Sequence, residues 1–164
     1  MRYRRERPEP GQESVWDYPR PPRIEPVSER VRITFNGVEV ADTSRARRVL
    51  ETSHPPVYYI HPEDLKREFL EPSHRRSLCE WKGQASFVTL RVGHRVAEDV
   101  GWFYPEPVLA FQAIRDHVAF YAGPMDCCMV GSEQVRPQPG GFYGGWVSSK
   151  VVGPFKGEPG TESW

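Results

Sequence analysis

Apolar positions along this chain recur mostly every second residue, over short stretches broken by turn residues. In VRITFNGVEVAD, Val31, Ile33 and Phe35 alternate with Arg32 and Thr34, and Val38 and Val40 resume the alternation after Asn36-Gly37. Asn-Gly accommodates successive positive φ values, which makes it the strongest short signal for a two-residue hairpin. TSRARRVLET follows, and its few apolar positions fit a capped helix or a strand. PPVYYIHPEDL predicts a short strand over residues 57–60, stopped by Pro62. Pro62, Glu63 and Asp64 then suit a first helical turn, with proline at its start and acids where the helix dipole favours them; this turn is expected to end before Pro72.

HRRSLC and QASFVTLRVG read as strands on either side of Gly83, and Gly93-His94 turns the chain into RVAEDVGWFYPEP. Residues 107–115 are the best helix candidate, because Val108, Phe111 and Ile114 share one face at a spacing of three. HVAFYAG closes the series as a strand. The predicted fold class is mainly β: a small antiparallel body over residues 30–134 with one or two short helices, arranged as a small barrel or a folded pair of sheets.

Two arms of different composition flank that body. Residues 1–29 are rich in Pro and Arg, and read either as a disordered lead-in or as an extended segment docked through Trp16 and Tyr18. Residues 135–164 are rich in Gly, Pro and aromatic rings. Such a segment cannot bury a core of its own, but its rings can clamp onto another surface.

Charge narrows the partners. The 164 residues carry 22 basic and 22 acidic side chains, so no general attraction to nucleic acid or an anionic membrane is expected. No long apolar run predicts a transmembrane helix, and MRYRRERPEP lacks the apolar stretch of a signal peptide. A cytoplasmic location with reduced thiols is the expectation, and an odd count of 3 cysteines fits it.

The chemistry-bearing residues are sparse. Structural zinc wants four Cys or His ligands in close pairs, whereas Cys79 is followed three positions on by Lys82, and Cys127 and Cys128 are adjacent. No metal or other cofactor is predicted. Neither Lys82-Gly83 nor GPFKGEPGT completes the phosphate-binding GxxxxGK pattern. Cys79 beside Lys82 is the candidate nucleophile, with His61 or His74 as a base, against the plainer reading of a packed thiol. Tyr58, Tyr59, Trp81, Trp102, Phe103 and Tyr104 sit at strand ends or beside turns. Alternation sends one of each adjacent pair into the core and leaves the other to line a concavity.

NGVEVADTSRARRVLET, PPVYYIHPEDL, SLCEWKGQASFVTL, WFYPEP and IRDHVAFY, in that order, resemble the bacterial domain-of-unknown-function 427 (DUF427) family over about residues 30–123. The closing GGFYGGWVSSKVVGPFKGEPGT is similar to the tail of one branch of it. The resemblance implies a β-tent (Mss4-like) fold, similar to the cereblon thalidomide-binding domain and methionine sulfoxide reductase B. Those relatives hold zinc through paired CxxC motifs that this chain lacks. The family's Cys-Pro-x-Lys-Gly is here Cys79-Glu80-Trp81-Lys82-Gly83, and Glu80 brings a carboxylate beside Lys82, as a surface ion pair worth under ~1 kcal/mol. A nucleotidyltransferase label attaches to the family. Its chemistry wants clustered carboxylates for Mg²⁺, and Glu63-Asp64 and Glu98-Asp99 form no DxD pair.

The leading expectation is a binding domain for a small anionic or carbonyl-bearing molecule. Tyr59, Trp81 and Trp102 supply walls, and Arg45 and Lys82 supply donors. The alternatives are a transferase- or hydrolase-type enzyme using Cys79 and Lys82, and an interaction protein that forms homo-oligomers through its C-terminal arm.

Overall fold

Fifteen short strands and four 3-10 turns make up the regular structure in the computed structural model, which describes residues 4–164. The first three residues of the N-terminal arm lie outside the described residues. That arm carries β1 (Glu13–Ser14) and β2 (Arg23–Pro26). β3 (Val31–Phe35) and β4 (Val38–Thr43) form the predicted hairpin, with Asn36 at φ 48° and Gly37 at φ 75°. β5 (Arg47–Leu50) settles the ambiguous segment as strand, and β6 (Val57–Tyr59) follows.

A 3-10 turn at Pro62–Asp64 begins with proline as predicted, and a second follows at Arg67–Phe69. β7 (Leu70–Cys79), β8 (Gly83–Val92) and β9 (Arg95–Phe103) then form a long meander. β7 starts earlier than the sequence suggests and contains Pro72. Proline is tolerated there because β7 is an edge strand, and its register with β8 shifts between Pro72 and Arg76. β10 (Ala119–Phe120) and β11 (Cys127–Val130) complete the central region. β12 (Glu133–Gln134) ends the body, and the C-terminal arm carries β13 (Arg136–Pro137), β14 (Trp146–Val147) and β15 (Val151–Val152).

The strands form open sheets, ordered β10-β9-β8-β7, β12-β11-β3-β4 and β2-β5-β6, and no sheet among the described residues closes into a barrel. Mutual backbone bonds between Ile60 and Val118, at 2.8 and 2.9 Å, tie the end of β6 to the segment leading into β10. Among the described residues no helix is long and apolar enough to cross a membrane.

The helix expected over residues 107–115 is instead a 3-10 segment, Leu109–Ile114, broken at Phe111 where φ is −116°. A spacing of three repeats in register in a 3-10 helix, which has three residues per turn, so the pattern was read with the wrong period. Phe111 and Ile114 are buried, while Val108 and Leu109 are exposed.

Burial changes side along β8. Ala85 and Phe87 pack into a cluster with Tyr59, Trp102 and Tyr104, whereas Val88, Leu90 and Val92 face the main core with Val31, Ile33 and Phe35. Two consecutive buried residues, Phe87 and Val88, mark the switch, because a strand otherwise alternates its faces. One sheet thus serves two apolar clusters.

Over their described residues, both arms pack against the body. β1 runs parallel to β15, and a third cluster joins Val15 and Tyr18 to Leu50 and Val151. Trp146 is fully buried in the main core, its indole N–H donating to the Phe120 carbonyl at 2.9 Å and its ring stacked on Tyr58 at 5.1 Å. Trp146→Ala is expected to cost about 3–5 kcal/mol, the range for removing a large buried ring. The check is the urea midpoint; an unshifted midpoint would mean that the arm docks without contributing to stability.

Candidate functional site

A three-residue turn, Glu80-Trp81-Lys82, connects β7 to β8, with Cys79 paired opposite Gly83. Gly83 sits at φ 116°, a conformation that L side chains rarely adopt, and the Lys82 carbonyl accepts the Val108 N–H at 2.9 Å. This turn directs Lys82 inward, where the residue is 9% exposed. Glu80 is exposed and forms no ion pair with Lys82 among the described residues, so the surface pair expected from the sequence is absent.

Lys82 borders a hollow of about 440 Å³. Val49 and Tyr59 contribute from the β2-β5-β6 sheet, Phe87 and Trp102 from β8 and β9, and Cys79 and Trp81 from the turn. Phe142, Tyr143, Gly144 and Lys156 of the C-terminal arm form the remaining side. Of the residues singled out in the sequence, Tyr59, Cys79, Trp81, Lys82 and Trp102 therefore meet at one place.

Arg45 does not reach it. Its guanidinium is half exposed and bound to Asp64 at 2.9 Å and Glu63 at 3.2 Å, away from the hollow. The acids of the Pro62–Asp64 turn, which the sequence places near a helix start, thus neutralise the arginine assigned to the ligand. His61 and His74 are not among the lining residues either. His61 caps the turn at Pro62–Asp64, accepting the Glu63 N–H at 3.1 Å.

The arm is pressed against the rings. A Cβ on Gly144 would lie 2.0 Å from the Trp102 ring, so only glycine permits this approach. Tyr121 packs on Trp102 at 4.8 Å with the rings tilted by 50°, and donates its hydroxyl to the Phe142 carbonyl at 3.0 Å. Gln138 holds the arm to the body. Its amide nitrogen bonds the His54 Nδ1 at 3.0 Å and the Lys156 carbonyl at 2.8 Å, and its oxygen accepts the Gly145 N–H at 3.0 Å. His54 in turn meets the Tyr143 ring edge-on at 4.8 Å. Sequence reasoning missed His54, Gln138, Tyr143 and Lys156 as wall residues, since no local pattern announces a contact across some 90 residues.

Charge in the hollow is unbalanced. Arg75, Arg76, Lys82 and Lys156 line it against Glu51 and Glu80, and Glu51 is already held by Arg20 at 3.3 Å. Arg75 lies over the Phe87 ring at 4.4 Å, and Arg76 donates to main-chain carbonyls. Lys82 has no carboxylate oxygen within 4.0 Å among the described residues; its Nζ lies 5.9 Å from the Tyr104 and Phe111 ring centres. Burial pulls the Lys82 ammonium down, while negative charge on Tyr59, Cys79 and Glu51 opposes it, and the net direction is upward. Burial pushes the Tyr59 and Tyr104 phenols up, so both remain neutral donors. By contrast, a second hollow of about 390 Å³ is lined by Glu13, Glu29, Arg48 and Lys150, which already pair with one another.

The remaining thiols lie elsewhere, Cys127 and Cys128 on β11, with Cys128 buried in the main core and its thiol pushed up by burial. No three His, Cys, Asp or Glu side chains gather as a metal-binding group among the described residues.

His54 gives the arm a pH dependence. Burial, reinforced by the positive charges of Lys156, Arg20 and Lys82, pushes its pKa down from 6.5 to about 4. Between those values the unfolded chain takes up a proton that the folded chain refuses, so this contribution is complete above pH 6.5 and lost as the pH falls towards 4. The loss amounts to about 3 kcal/mol. His54→Gln is expected to flatten the fall of the urea midpoint between these pH values; an equally steep fall in the variant would assign the dependence to other groups.

No curated protein matches the chain. The family model described as a domain of unknown function, DUF427, matches residues 23–131, a span from β2 into the turn after β11 that includes the Lys82 turn, Tyr59 and Trp102 but not the arm. The chain therefore belongs to the DUF427 family, and the C-terminal wall of its hollow comes from outside the matched region.

Proposed function

We propose that this chain binds a small anionic or carbonyl-bearing molecule in the hollow beside Lys82. The observation that carries this reading is the Lys82 ammonium itself, nine-tenths buried, charged, and without a carboxylate within 4.0 Å among the described residues. Taking a charge out of water is costly, and a buried cation is normally repaid by a paired anion. A ligand oxygen at this point supplies that partner. Tyr59, Trp81 and Trp102 give apolar walls, and Arg75 and Arg76 on β7 raise the local concentration of anions. The size of the hollow, about 440 Å³, suits a molecule of one or two rings.

The C-terminal arm takes part as a wall. Its largest ring, Trp146, is committed to this chain's own core, and Gln138 and Gly144 hold its remaining length against His54 and Trp102. These contacts favour a binding role for the arm over a role in joining subunits.

The test is a thermal-shift screen with aromatic carboxylates and their neutral amides, followed by titration. A carboxylate that raises the melting temperature of the wild type is expected to bind Lys82→Met about tenfold to a hundredfold more weakly, the value of a charge-assisted hydrogen bond. Arg45→Ala is expected to bind as the wild type does. Equal affinity of wild type and Lys82→Met for both carboxylates and amides would sink the reading, and a preference for the amides would select the carbonyl-bearing ligand over the anionic one.

A further inference from the structure

We propose that Cys79 captures a flat aromatic aldehyde covalently in this hollow, its sulfur adding to the carbonyl carbon while Lys82 and Tyr104 hold the carbonyl oxygen. The inference rests on the pocket reading above and names the ligand class of that site.

The turn geometry brings the groups together. Cys79 ends β7 and Lys82 precedes β8, so the three-residue connection places both at the same end of the hairpin, and both line the hollow. The Cys79 side chain is half-buried and lines the hollow together with Lys82 and Tyr104. A nucleophile, a buried cation and a neutral phenol thus converge on one point. That is the set needed to attack a carbonyl and to stabilise the negative oxygen it leaves. An ammonium alone would accept any anion. The thiol beside it narrows the choice, since a sulfur nucleophile adds to an aldehyde but not to a carboxylate or a phosphate. The least hindered carbonyl carbon is that of an aldehyde, which suits a thiol recessed at the pocket edge. Phe87, Trp81 and Trp102 supply an apolar wall beside these groups.

The step balances without any other reactant. A bond forms between Sγ and the carbonyl carbon, and the carbonyl π bond breaks with its electron pair passing to oxygen. The Lys82 ammonium gives that oxygen a proton and takes the thiol proton in return. The product is a thiohemiacetal, and the addition is reversible. An imine on Lys82 is the rival adduct; it expels water and leaves a trigonal carbon, which distinguishes it from the tetrahedral thiohemiacetal.

The experiment is carbon NMR of the full chain with 2-naphthaldehyde labelled at its carbonyl carbon, alongside titration with 2-naphthoate as a probe that cannot react. The expected result is a new tetrahedral-carbon signal with the wild type. It should disappear in Cys79→Ala and fall at least tenfold in occupancy in Lys82→Gln, while naphthoate binding survives in Cys79→Ala. Melting curves establish that each variant is folded, and Cys79→Ser provides a second thiol-free chain. A bound aldehyde whose carbon stays trigonal, as carbonyl or imine, overturns the capture, as does a tetrahedral signal that persists without Cys79. In either case naphthoate binding would leave the pocket reading standing. Failure of both probes to bind the wild type would overturn the two together.

Discussion

Trp146 is a core residue supplied from outside the strands that surround it. Its ring fills space among β3, β8 and β9 side chains, and its indole N–H must find an acceptor because it is buried; the Phe120 carbonyl provides one. Once this ring is fixed, the arm on either side is constrained. Upstream, Gly145 packs on the Pro55 carbonyl and Gly144 on the Trp102 ring, which sets the wall of the hollow. Downstream, β15 meets β1 and closes the third cluster over Leu50. The body and both arms are therefore one packing problem, and the hollow is a by-product of its solution.

Around that hollow, the economy of charge differs from the rest of the surface. Arg30, Arg45, Arg48, Arg91 and Arg95 are each matched with a carboxylate. Arg48 is the extreme case, with Glu13 and Glu25 both bonded to it and drawing three segments together. Lys82 and the two arginines of β7 have no such matching. Surface pairs contribute little to stability, so their loss elsewhere would be tolerated. A buried ammonium is another matter, because taking it out of water is costly unless an opposite charge or hydrogen-bond acceptor meets it.

Much of the local structure was legible in the sequence. Asn36-Gly37 announced its hairpin, Pro62 its turn, and the alternation in β3 and β8 its buried faces. The errors have physical causes. Spacing of three at Val108, Phe111 and Ile114 does not separate a 3-10 helix from an α-helix over so few residues. Arg45 looked like a free donor because nothing nearby in sequence neutralises it; Asp64 arrives through folding. The aromatic residues of the hollow were visible one by one, since each sits at a strand end. Their common wall from the arm was not, because Gln138 and His54 are joined by tertiary packing that no periodicity encodes.

The parallel pairing of β1 with β15 links strands separated by most of the polypeptide. Contacts of such long sequence separation form slowly, because a large loop must close before they stabilise anything. During translation, the meander can assemble while Trp146 is still unmade, leaving Tyr58 and Phe120 without their covering ring. A chain lacking that residue would present an unfinished, apolar interior to its neighbours.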